Sequence, residues 1–145
     1  MRKFTALGFA VCGTLLVLLL FAAGRMLYIN LYSQSYADIA GTGLPAALSI
    51  TENDTDLPAV TDPARIDEFT ALLSSYTYKQ YPHFFPPRSE RLAANRLTVT
   101  FENGNSIGVN ADGYVFINGE LRSIEGERGQ EFYHRLYVLV YPNAA

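Results

Sequence analysis

Arg96-Leu97-Thr98-Val99-Thr100-Phe101-Glu102-Asn103-Gly104-Asn105-Ser106-Ile107-Gly108-Val109-Asn110-Ala111-Asp112-Gly113-Tyr114-Val115-Phe116-Ile117-Asn118-Gly119-Glu120-Leu121-Arg122-Ser123-Ile124 is the stretch on which the fold turns. Apolar side chains recur at every second position, and Asn103-Gly104-Asn105, Asn110-Ala111-Asp112-Gly113 and Asn118-Gly119 divide it into four runs. Period-two patterning broken by Asn-Gly and Asp-Gly pairs is the signature of antiparallel strands joined by tight hairpins. Four strands in a meander are therefore expected.

Parity sets the register, because residues directly opposite point to the same face. A two-residue loop at Asn118-Gly119 places Phe116 opposite Leu121 and Tyr114 opposite Ser123. A four-residue turn from Asn110 to Gly113 places Val109 opposite Tyr114 and Ile107 opposite Phe116. At the first hairpin a two-residue loop would split the apolar set between faces. A three-residue loop, Asn103 to Asn105, keeps Phe101 opposite Ile107 and Val99 opposite Val109, with Gly104 or Asn105 left-handed. The expected buried face is then Leu97, Val99, Phe101, Ile107, Val109, Tyr114, Phe116 and Leu121. Thr98, Thr100, Ser106, Gly108 and Arg122 fall on the other face with Val115 and Ile117.

A sheet with one apolar face needs a covering layer. Upstream, Thr61-Asp62-Pro63 reads as a helix start: a capping side chain and then proline at the first helical position. Ile66, Phe69, Leu72 and Leu73 follow on one face, and the helix should end near Ser75. Downstream, Phe132, Leu136, Leu139 and Val140 share a helical face between Gln130 and Tyr141, ahead of Pro142. The β-branched content of Leu136 to Tyr141 leaves a strand there as the alternative. Ala46, Leu48 and Ile50 mark one further short strand, and Glu52 to Asp56 reads as an acidic loop. The expected class is α+β: an antiparallel sheet, a four-stranded meander plus one or two N-terminal strands, covered by two helices.

Before this domain, Phe4 to Ala23 is a run of 20 uncharged residues behind Met1-Arg2-Lys3. At about 1.5 Å per residue it matches a hydrocarbon core of about 30 Å. That exceeds the usual signal-peptide apolar region, so residues 1–25 read as a transmembrane signal-anchor. Positive charge is heavier before the run than after it, which keeps the N-terminus in the cytoplasm and the C-terminal domain outside. A cleaved signal at Ala22-Ala23-Gly24 is the competing reading. Residues 26–43 read as a juxtamembrane helix and linker, with Tyr28, Tyr32 and Tyr36 on one face if the helix continues. Gly41-Thr42-Gly43 breaks it, and the domain is expected over 44–145.

Formal net charge is −3 over 145 residues, and Arg2, Lys3 and Arg25 lie in or beside the apolar run. The remainder carries eight basic and fourteen acidic residues, a net of −6, which disfavours nucleic acid as a partner. Cys12 is the single cysteine, so no intramolecular disulfide exists and the core alone must hold the domain. In the membrane run Cys12 is a small apolar filler.

No HExxH pair, Cys/His cluster, nucleophile elbow or phosphate-binding glycine loop occurs, and no cofactor or metal is expected. Asn53-Asp54-Thr55-Asp56 has acidic spacing but lacks the glycine and distal glutamate of a calcium loop. One segment is unusual: Tyr76-Thr77-Tyr78-Lys79-Gln80-Tyr81-Pro82-His83-Phe84-Phe85-Pro86-Pro87-Arg88, followed by Arg91 and Arg96. Prolines stiffen the backbone, and rigid aromatics beside arginines are what binding hot spots use. The plain alternative puts Tyr76 and Tyr78 on a strand and Phe84 and Phe85 in one end of the core. Tyr81, His83, Phe84, Arg88 and Arg91 are the candidate ligand- or partner-binding residues. His83 with a nearby carboxylate is the only candidate centre for catalysis.

The order Thr61-Asp62-Pro63-Ala64-Arg65-Ile66, Leu97-Thr98-Val99-Thr100-Phe101-Glu102-Asn103-Gly104, Asp112-Gly113-Tyr114-Val115-Phe116-Ile117-Asn118-Gly119 and Phe132-Tyr133-His134-Arg135-Leu136-Tyr137 resembles the small membrane-anchored extracytoplasmic domains of Gram-positive bacteria. That resemblance implies a cell-surface setting and a sensory or interaction role, and it supplies no functional residues. The function expected is a non-enzymatic, membrane-tethered binding or regulatory module for a protein, peptide or cell-wall ligand. Its alternative is a structural accessory protein working through the membrane helix, although Gly8 and Gly13 form no GxxxG pair.

Overall fold

The computed structural model describes residues 2–143. Met1, part of the basic N-terminus, lies outside them. The chain forms two compact units, Met1–Tyr32 and Ser33–Ala145.

The first unit is a single helix, α1 (Arg2–Leu31). Within it Gly8–Leu31, 24 residues of mean hydropathy 2.1, is long and apolar enough to cross a membrane, a property that a signal sequence at this position shares. Two of its polar side chains bond back to the helix itself. Thr14 Oγ1 donates to the Ala10 carbonyl at 2.9 Å, and Asn30 Nδ2 to the Met26 carbonyl at 2.9 Å. Such i to i−4 bonds let polar residues sit in an apolar helix without stranded donors.

The second unit is α+β. In chain order it comprises α2 (Tyr36–Ala40), β1 (Ser49–Glu52), β2 (Thr55–Asp56), α3 (Pro63–Ser74), β3 (Tyr78–Gln80), α4 (Ser89–Leu92), β4 (Arg96–Thr100), β5 (Ser106–Asn110), β6 (Val115–Ile117), β7 (Glu120–Ile124), a 3-10 turn (Glu125–Glu127) and α5 (Gly129–Val140). The seven strands form one antiparallel sheet in the order β2-β1-β4-β5-β6-β7-β3. The expected meander is its centre, and α3 and α5 pack on one face. Phe69, Leu72 and Leu73 of α3 and Phe132 and Leu136 of α5 are buried against Leu97, Val99, Ile107 and Val109. Each such side chain contributes about 1.5–3 kcal/mol by leaving water. Leu136 to Tyr141 is helical except for its last residue, so the strand alternative falls away.

Two hairpins differ in frame from expectation, and one turn type accounts for both. In β4–β5, Phe101 N–H donates to the Asn105 carbonyl at 2.9 Å, closing a three-residue loop Glu102-Asn103-Gly104 with Gly104 at φ 82°. Val99 therefore opposes Ile107, not Val109, a shift of two that preserves the faces. In β5–β6, Asn110 N–H donates to the Tyr114 carbonyl at 3.0 Å, and the loop is Ala111-Asp112-Gly113 with Gly113 at φ 84°. This is the same three-residue loop with a left-handed glycine in third place.

The second frame changes the faces, because it moves the pairing by one residue. Ile107 opposes Ile117 and Val109 opposes Val115, so Val115 and Ile117 join the core. Tyr114, Phe116 and Leu121 move to the opposite face, and Arg122, paired with Val115, comes to the helix side. The Arg96 guanidinium covers Phe116 at 5.1 Å from the ring centre. Gly108 allows this crossing: a Cβ there would stand 2.9 Å from Thr98 Oγ1 and 3.7 Å from Arg96 Cδ. The β6–β7 hairpin matches expectation, with Phe116 opposite Leu121 and a two-residue loop at Asn118 (φ 52°) and Gly119 (φ 80°).

Three smaller corrections follow. The acidic stretch Glu52 to Asp56 is a hairpin, not an open loop: Asn53 and Asp54 take φ 48° and 63°, and β1 pairs with β2. Asp62 precedes α3 as its cap residue but makes no side-chain capping bond. The tyrosine face is interrupted. Tyr28 and Tyr32 meet at a tilt of 46° with ring centres 4.7 Å apart, whereas Tyr36 starts α2, is buried, and meets Phe101 edge-on at 5.6 Å. Ile39 of α2 is also buried, and its carbonyl accepts from Asn103 Nδ2 (2.9 Å) and Asn105 Nδ2 (2.8 Å). Gln34 pairs with Tyr78 in an isolated bridge. The compact unit thus starts at Ser33, ahead of the Leu44 start read from the glycines.

Candidate functional site

Three strands separate the edge strand β3 from the inner strand β4, to which it runs parallel, and residues 81–95 make the crossing between them. Pro82, Pro86 and Pro87 fix much of that path, since each proline locks φ near −65°. The β5–β6 turn lies under the crossing, and Asn110 joins the two. Asn110 is the one buried polar side chain among the described residues, with no accessible surface. Its Oδ1 accepts from Tyr114 N–H at 2.9 Å, and its Nδ2 donates to the Arg91 carbonyl at 2.8 Å. One amide therefore positions Tyr114 and α4 together. On the other side, the turn rests on the start of α5. A Cβ on Gly113 would stand 2.7 Å from Gln130 N, and one on Gly129 would stand 2.7 Å from the Gly113 carbonyl carbon.

Tyr114 separates two hollows. The first, about 190 Å³, is lined by Tyr81, His83, Tyr114, Arg122, Ser123 and Gly129 among others. Tyr81 and His83 meet edge-on at 5.2 Å. Burial, and then the neighbouring Tyr114, push the Tyr81 phenol up from its ordinary pKa, so it stays a neutral hydrogen-bonding group. Arg122 Nη2 donates to Glu120 Oε2 at 2.7 Å and its Nη1 donates to Gln80 Oε1. Its Nε is shut off from solvent without a hydrogen-bond partner among the described residues. The second hollow, about 420 Å³, is lined by Pro87, Arg88, Arg91 and Tyr114. Arg91 Nη1 donates to the Tyr114 hydroxyl at 3.5 Å.

Of the five residues singled out from sequence, the structure places Tyr81 and His83 in one hollow and Arg88 and Arg91 in the other. Phe84 lines neither. It is 61% exposed and Phe85 84% exposed, so the end of the core is not where these rings lie. Tyr76 and Tyr78 are core residues, with the Tyr78 hydroxyl donating to the Leu73 carbonyl at 2.7 Å. Sequence reasoning missed Asn110, Tyr114 and Arg122. The signal for all three was the third-position glycine in Ala111-Asp112-Gly113, which fixes the frame that turns Tyr114 and Arg122 to their observed sides.

No carboxylate lines the hollow that holds His83, and no three His, Cys, Asp or Glu side chains converge anywhere among the described residues. A further shallow groove of about 460 Å³ runs between α3 and α5 along Glu68, Ala71, Leu72, His134, Val138 and Leu139. No family model, curated protein or solved structure matches the chain.

Proposed function

We propose that the protein is a membrane-tethered binding or regulatory module without catalytic activity. Its recognition surface is the proline-stiffened segment from Tyr81 to Arg91, and its target is a protein, peptide or cell-wall ligand. The observation that carries this reading is convergence: Tyr81, His83, Arg88 and Arg91 surround the single ring of Tyr114, with Phe84 and Phe85 exposed on the same segment. Ordering that segment costs little on binding, because its backbone is already constrained. The apolar helix and the excess of positive charge at the N-terminus support an uncleaved anchor with the domain on the extracytoplasmic side.

The test is affinity capture from membrane and cell-wall extracts with the full-length chain in a mild detergent. The wild-type chain should retain a partner that a Tyr81→Ala/His83→Ala/Arg88→Ala variant holds at least about tenfold less well, the loss of roughly 1.4 kcal/mol of hot-spot energy. Equal retention by both chains would remove the segment from the recognition surface. Exchanging Phe4 to Ala23 for an unrelated membrane helix should leave capture intact. Loss of capture on that exchange would move the function into the membrane helix.

A further inference from the structure

We infer that Arg88 and Arg91 seat an oxyanion of the ligand, a carboxylate or phosphate group, beside Tyr114. This rests on the recognition surface proposed above and adds the chemistry of what it takes.

The domain has eight basic side chains after Arg25. Four are paired with carboxylates: Lys79 with Glu125 at 3.5 Å, Arg96 with Asp54 at 3.4 Å, Arg122 with Glu120 at 2.7 Å and Arg135 with Glu131 at 3.8 Å. Two more are engaged within the fold. Arg65 donates to the Leu139 carbonyl at 2.6 Å, and Arg128 lies 5.6 Å from the centre of the Tyr76 ring. Arg88 and Arg91 are left, and neither forms an ion pair with a carboxylate among the described residues. Asp112 is near enough to favour the charge on Arg91 but makes no ion pair with it.

In a domain with a six-residue excess of acid, carboxylates are in surplus, yet these two guanidinium groups line one hollow with no carboxylate in its walls. Guanidinium is the side chain suited to bidentate capture of carboxylate or phosphate. The Tyr114 hydroxyl accepts from Arg91 and keeps its own hydrogen to donate. Behind the same ring, the hollow of about 190 Å³ with Tyr81 and His83 has room for a single planar ring. The geometry therefore selects an oxyanion carried next to a ring.

Phenyl phosphate, phenylacetate and neutral benzyl alcohol serve as probes, titrated into the full-length chain in non-ionic detergent and followed by amide and arginine Nε–H chemical shifts. Phenyl phosphate or phenylacetate should bind with shifts at Arg88, Arg91 and Tyr114. Affinity should fall at least about tenfold in an Arg88→Gln/Arg91→Gln variant and by less in Arg88→Lys/Arg91→Lys, which keeps the charge but loses the planar fork. Which anion binds more tightly identifies phosphate or carboxylate. Unchanged affinity in the glutamine variant, or shifts no greater than those with benzyl alcohol, would overturn the inference. A glutamine variant that still captures the natural partner, while the Tyr81/His83/Arg88 alanine variant loses it, would overturn the oxyanion seat alone and leave the recognition surface standing.

Discussion

Replacing Asn110 by alanine would leave three backbone groups without their bonds: Tyr114 N–H, the Arg91 carbonyl and, at 3.4 Å, the Leu92 carbonyl. A buried group stripped of its partner costs about 1–3 kcal/mol. Asn110→Ala should therefore lower the melting temperature by about 4–24 °C, given about 4–8 °C per kcal/mol for a small domain. It should also broaden the arginine Nε–H signal of Arg91, since α4 loses its tie to the turn. Asn110→Asp should be at least as damaging at neutral pH. It keeps an acceptor for Tyr114 N–H but turns a carboxylate oxygen toward the carbonyls that the amide nitrogen had satisfied. Variants within half a kcal/mol of wild type would show that α4 is held by other contacts.

Among the elements, α5 is fixed at both ends by different means. Gly129 meets the β5–β6 turn backbone to backbone, and beyond the last turn the Tyr141 hydroxyl donates to Glu52 Oε2 on β1 at 2.6 Å. That bond needs a protonated phenol, and it raises the Tyr141 pKa to about 12, with burial adding to the shift. A pKa raised from about 10 means the stabilisation is whole below pH 10 and is lost as pH climbs through about 12. Burial shifts Tyr78 upward as well. Denaturation followed at increasing pH should show stability falling across this window, and less steeply in Tyr141→Phe. Identical profiles would assign the alkaline loss to Tyr78 instead.

Elements were also the scale at which the sequence was most readable. Pro63, the spacing of Ile66, Phe69, Leu72 and Leu73, and the face shared by Phe132 and Leu136 located both covering helices. Asn118-Gly119 located its hairpin to the residue. The other two hairpins were legible as turns but not in frame. Asn103-Gly104-Asn105 and Asn110-Ala111-Asp112-Gly113 each offer more than one loop length, and only the left-handed glycine in third place decides between them. A four-residue turn from Asn110 to Gly113 puts the β5–β6 frame one residue off, which sends Tyr114 to the core and hides the centre of the candidate site. Tyr81 and Arg88, lying outside regular strands, were found by composition alone.

For the whole molecule, the residues that follow the apolar helix belong to the fold. Tyr36 and Ile39 are buried, and the loss of each should cost about 1.5–3 kcal/mol. A soluble fragment of residues 33–145 should therefore unfold at clearly higher denaturant than one of residues 44–145, with a midpoint shift that reads several kcal/mol. Equal midpoints would mean that α2 docks without contributing to stability. The same packing bears on where the chain can be cut without loss of the fold. A protease cutting within Ala22-Ala23-Gly24 sheds an intact domain, whereas one cutting at the exposed Thr42 or Gly43 severs α2 from the sheet it helps to close. Cleavage at the second place would leave a weakened remnant, so the two cuts differ in how much of the fold each leaves standing.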